Sequence, residues 1–102
     1  MPQSAMIIKT RTKPGKREVV SRLYQELLAP RAAANAEQLL VVWCDDAHDP
    51  DVFYLFEIYA NQEAMGSNAQ APWFAEYMQQ AGPLLAAEPE VAMAIPGWAK
   101  GL

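Results

Sequence analysis

The chain holds a single cysteine, Cys44, and a single histidine, His48. One cysteine excludes an internal disulfide, and one Cys with one His falls short of the three or four ligands of a zinc site, so no metal is expected. Basic charge is also scarce: eight Lys and Arg stand against twelve Asp and Glu, for a net charge of −4 and a pI near 4.8. Nucleic acid and anionic membrane surfaces call for a basic footprint, and none spans the chain. No apolar run approaches the roughly 20 residues of a membrane span, and the opening MPQSAMIIKT lacks a charged leader, so the expected location is cytoplasmic. G-x-G-x-x-G, the P-loop, G-x-S-x-G and H-E-x-x-H are all missing. Redox chemistry, if any, would draw its reactivity from the substrate and dioxygen, with no cofactor.

What is present is apolar. Of 102 residues, 52% are hydrophobic and 20% charged, which suits one domain over 1–102 with more apolar surface than one layer of helices on one sheet can hide. That surplus points to a partner subunit. Seven of the eight basic residues lie between Lys9 and Arg31, and ten of the twelve acids lie from Glu37 onward. Such halves complement each other across one fold or across a dimer.

Ala5 to Thr12 reads as a strand stopped by Lys13-Pro14-Gly15. From Lys16 the period changes: Val19 or Val20, Leu23, Leu27 and Leu28 recur at helical spacing until Pro30, with a short continuation over 31–36. The apolar runs Leu39 to Cys44 and Phe53 to Ile58, joined by the turn-forming Asp45 to Asp51, make a hairpin. Asn61 is placed to cap a helix, and another begins near Pro72 carrying Phe74, Tyr77, Met78 and Leu84 or Leu85. Val91 to Ile95 closes the set. The order β-α-β-β-α-β is the split βαβ, or ferredoxin-like, α+β arrangement with a four-stranded antiparallel sheet. Along 52–60, Phe53, Leu55, Glu57 and Tyr59 face one way and Val52, Tyr54, Phe56 and Ile58 the other, so neither side is patterned for water. If helices cover one side, a second subunit covers the other; the Glu57 side is the better place for a cavity, because a carboxylate in a sealed seam needs a partner.

The segment from Phe53 to Phe74, FYLFEIYANQEAMGSNAQAPWF, resembles the signature of the antibiotic biosynthesis monooxygenase family, which includes quinol monooxygenases. The shared outline is an aromatic strand, E-x-Y or E-x-W, a polar turn, an Ala, and H-x4-H followed by Phe or Tyr. The resemblance implies a dimeric α+β barrel, a pocket between sheet and helices, and no bound cofactor. Residue by residue, Glu57, Tyr59 and Phe74 match the pattern, while its two histidines fall on Asn68 and Trp73. The anthrone-oxidising branch has Asn and Trp where this chain offers Leu55 and Tyr59.

The implied activity is cofactor-independent oxidation of a quinol- or anthrone-type aromatic by dioxygen. For that chemistry Glu57 is the candidate base, and Tyr59 or Asn68 the candidate donor to the substrate anion. Phe53, Leu55, Trp73, Trp43 and Tyr24 are the candidate substrate-binding walls. Two other readings share the fold: a proton-transferring isomerase using Glu57 or Tyr59, and a non-catalytic dimer that binds aromatics. Cys44 reads as packing, and Trp98, beyond Pro96-Gly97, as a clasp on a partner subunit.

Overall fold

The computed structural model describes residues 2–101. Its elements run β1 (Ser4–Arg11), α1 (Arg17–Leu27), α2 (Ala29–Ala34), β2 (Gln38–Asp45), β3 (Val52–Tyr59), α3 (Gln62–Ala69), α4 (Pro72–Ala81), a 3-10 turn (Gly82–Leu84) and β4 (Glu90–Ala94). The strands form one antiparallel sheet in the order β2-β3-β1-β4. This is the ferredoxin-like α+β fold that the alternation of patterns predicts.

The alternation in β3 decides which face is covered. Phe53, Leu55, Glu57 and Tyr59 are all buried and lie beneath the helices, each 8% exposed or less. Val20 and Tyr24 of α1, one helical turn apart, pack onto this face, as do Tyr77 and Ala81 of α4. The rings of Tyr24 and Tyr77 meet edge-on at 5.8 Å, joining the two helices. On the opposite face Ile7, Phe56 and Val42 lie side by side on β1, β3 and β2, each about 40% exposed. No helix among the described residues covers them.

Two expected boundaries move. Pro30 does end α1, but it sits in the first turn of α2, where a missing N–H costs nothing. Leu84 and Leu85 fall beyond α4, because Gly82-Pro83 opens a 3-10 turn that ties back to β1 through Lys13 N–H to Leu84 C=O at 2.8 Å. Gly15, with φ +76°, makes the turn after β1 that a side chain would strain, and its N–H donates to Asp51 Oδ1 at 3.0 Å.

The basic first third meets the acidic remainder within the chain. Arg17 donates to the carbonyls of Asp49 and Val52 at 2.9 and 3.0 Å and approaches Asp45 at 3.4 Å, while Arg11 pairs with Asp49 at 2.8 Å. Asp46 accepts from the backbone of His48 and Asp49 and from the Tyr54 hydroxyl at 2.7 Å, which holds its carboxyl well below the ordinary range. The loop between β2 and β3 is thus tied together by its own hydrogen bonds, and His48 is exposed on it.

Candidate active site

Between the helices and the sheet lies a cavity of about 230 Å³. Its floor is the inward row of β3, Phe53, Leu55, Glu57 and Tyr59, flanked by Met6, Ile8 and Thr10 of β1. Tyr24, Asn68, Trp73, Phe74 and Tyr77 of the helices close it from above. The size suits a small aromatic, lying just under the roughly 300–1,000 Å³ of common ligand pockets.

One carboxylate sits in this apolar box. Burial pushes the Glu57 carboxyl up from its ordinary value, and a hydrogen bond from Tyr59 pulls it partly back. The Tyr59 hydroxyl donates to Glu57 Oε1 at 2.5 Å and accepts from Asn68 Nδ2 at 2.9 Å. Burial in turn raises Tyr59, with the Glu57 charge adding to the effect, so its proton stays on the phenol. Asn68 reaches this point because Asn61 caps α3: its Oδ1 accepts from Ala64 N–H at 2.8 Å and fixes the start of the helix whose last turn carries Asn68.

A fourth member, Gln38, is absent from the expectations above. Its Nε2 donates to the Tyr59 hydroxyl at 3.2 Å and lies 3.4 Å from Glu57 Oε1. It faces inward because β2 carries one extra residue: Gln38 opposes Tyr59 and Leu40 opposes Ile58, which leaves Leu39 unpaired. From Leu40 onward even-numbered residues of β2 face outward, so an unbroken strand would turn Gln38 outward too. The bulge reverses that. No signal in the continuous run LLVVWC gives the register away.

Of the expected wall residues, Phe53, Leu55, Trp73 and Tyr24 line the cavity. Trp43 does not: it stacks behind Phe53, with ring centroids 3.7 Å apart, and its Nε1 donates to Asp45 Oδ1 at 2.8 Å. Trp73 is held at the rim by the guanidinium of Arg31, 4.4 Å above its ring, and its Nε1 is buried with no partner. The geometry also uses up the donor that Tyr59 was expected to offer, since its single proton is committed to Glu57. Among the described residues no group of three His, Cys, Asp or Glu could hold a metal ion, and no helix is long and apolar enough to cross a membrane.

The sequence model described as antibiotic biosynthesis monooxygenase matches residues 4–80. No curated protein sequence matches the chain. Among solved structures it resembles a candidate antibiotic biosynthesis monooxygenase of Chloroflexus aurantiacus, at 23% identity and a TM-score of 0.83 over 97% of each chain. It also resembles Rv0793 of Mycobacterium tuberculosis, at 22% identity and a TM-score of 0.84, over 97% of this chain and 99% of that one. A Nitrosomonas europaea protein of unknown function, NE2512, is similar at 20% identity and a TM-score of 0.83, over 100% of this chain and 96% of that one. At these identities the likeness is one of fold.

Proposed function

The chain belongs to the antibiotic biosynthesis monooxygenase family, and from that premise we propose that it is a cofactor-independent monooxygenase acting on a quinol- or anthrone-type aromatic with dioxygen. The observation that carries this reading is a lone, buried carboxylate with a raised pKa at the floor of an aromatic-walled cavity. A carboxylate in that setting is a stronger base than one in water, because protonation discharges it.

The electron balance is simple. Glu57 takes a proton from the substrate, and the resulting anion passes one electron to dioxygen, giving superoxide and a carbon radical. The pair joins in a C–O bond, and the peroxide takes up a proton. The carbon then gives up its remaining hydrogen as the O–O bond breaks, leaving a new C=O and one molecule of water. One oxygen atom of O₂ stays in the quinone and the other leaves in the water. Phe53, Leu55, Trp73 and Tyr24 hold the flat substrate, while Tyr59, Asn68 and Gln38 fix the carboxylate.

We also assign the uncovered sheet face, centred on Ile7, Val42 and Phe56, to a second copy of the chain. Three large apolar side chains in a row on a sheet would otherwise stand in water, and two sheets packed face to face hide them. The domain, on this reading, is the whole chain of 102 residues.

The test is oxygen uptake with product mass on a panel of anthrones and hydroquinones, for the wild type, Glu57→Gln and buffer. Wild-type uptake should exceed buffer, and Glu57→Gln should lose about 10²–10⁴-fold in kcat. Turnover that persists without oxygen would instead assign an isomerase to the same carboxylate.

A further inference from the structure

Three phenols surround Glu57, and they are not equivalent. Tyr59 is fully used: it donates to Glu57 and accepts from Asn68 and Gln38. Tyr24 and Tyr77 line the same cavity and are more than nine-tenths buried, at 8% and 6% exposed. Burial and the Glu57 charge raise both, Tyr77 to about 12, and no hydrogen bond is among the causes. Neither hydroxyl is among the sealed, partnerless polar atoms, which leaves both open to a ligand in the cavity.

We propose that the hydroxyls of Tyr24 and Tyr77 are the donors that hold the substrate's oxygen as it becomes anionic. The inference rests on the reading of Glu57 as base. Removing a proton from carbon beside a conjugated carbonyl moves the charge onto that oxygen, and the oxygen then needs donors close to the base. Tyr59 has no proton to spare, so the phenols of Tyr24 and Tyr77, alongside the unpartnered Trp73 Nε1, are left to take that part. The two phenols are donors throughout the neutral range because burial, and after it the Glu57 charge, disfavours the phenolate. Their placement on two different helices, with rings edge-on at 5.8 Å, lets each reach the cavity without displacing the other.

The measurement is equilibrium binding of 2-hydroxyanthraquinone, whose colour reports its own ionisation, to the wild type, Tyr24→Phe, Tyr77→Phe and the double variant. Phenylalanine keeps both rings, and near-ultraviolet circular dichroism checks that the packing survives. Each substitution should weaken the ionised dye about tenfold or more, the lower range for a hydrogen bond to a charged group, and leave the neutral dye within about twofold. That selectivity is one a mere wall does not produce. Equal losses for both forms would reduce the two tyrosines to walls and overturn the inference, as would unchanged binding of the ionised dye. Oxygen uptake is measured on the same variants and answers a different question. Its absence in the wild type would remove the oxygenase reading while the dye result stands on its own; uptake that the double variant keeps in full, with dye binding unchanged, would remove the inference and leave that reading in place.

Discussion

Replacing Tyr59 by Phe tests how the cavity tunes its base. The substitution keeps the buried ring, which is 1% exposed, and deletes one oxygen. Glu57 loses the 2.5 Å donor that pulls its pKa down, so burial acts on the carboxyl unopposed and the pKa rises. A base works in its ionised form, so the limb of the kcat profile that climbs with pH should move to higher pH, with most activity recovered in alkaline buffer. The stability cost follows from three bonds. A hydrogen bond to a carboxylate contributes about 1.5–3 kcal/mol, and the Asn68 and Gln38 amides lose their acceptor, each at about 0.5–1 kcal/mol once water is allowed to replace it. Some of that is returned because no hydroxyl remains to be desolvated, which leaves about 2–4 kcal/mol. For a domain of this size that is a fall in Tm of roughly 10–25 °C.

The sign with pH also follows. Glu57 has a folded-state pKa above its unfolded value, so its contribution to stability is fully present below the unfolded pKa and is lost as pH rises through the folded one. Thermal unfolding of the wild type from pH 4 to 9 should show that decline, and Tyr59→Phe should lose more across the same range. The assays are unfolding followed by circular dichroism and kcat against pH on a substrate established by oxygen uptake. A limb that stays put, or moves to lower pH, would refute the claim that Tyr59 lowers the pKa of the catalytic carboxyl.

Three further outcomes are expected. Asn61→Ala removes the cap of α3 and should cost about 1 kcal/mol, read as a Tm fall of roughly 4–8 °C, with a drop in kcat because Asn68 rides on that helix; kcat unchanged at full loss of the cap would separate Asn68 from catalysis. Deleting Leu39 straightens β2 and turns Gln38 outward, so the deletion and Gln38→Leu should lower kcat equally and the combination should be no worse than either; additive losses would deny the bulge its role. Phe56→Glu places a charge on the uncovered sheet face; if that face joins two copies, sedimentation velocity should show a dimeric wild type and a monomeric variant, whereas a dimer in both would move the interface elsewhere on the chain.

What was legible beforehand follows from which physical signals are local. The two-residue period of β3 named both faces, and Phe53, Leu55, Glu57 and Tyr59 do share the covered one. The Asn61 cap was legible too, because a capping side chain acts within three residues of itself. Gln38 was not, since a bulge is a property of two strands in register and a run such as LLVVWC fixes no register alone. Trp43 shows a different limit. It opposes Leu55 across the ladder and so faces the covered side, as its neighbours suggest. Yet its indole extends toward Asp45 and lies behind Phe53, at the end of the sheet away from Glu57. Periodicity says which side of a sheet a residue faces, and says nothing of which stretch along the strand lies under the cavity. Tyr77 illustrates the same point from a helix: spacing marked it as core, and only the packing of α4 against α1 over the sheet brings it to the wall of the cavity that holds Glu57. Contacts that depend on an approach between distant elements are therefore the ones to be sought in the fold, and in this chain Gln38 and Tyr77 are the examples, whereas Tyr24 was already expected at the cavity.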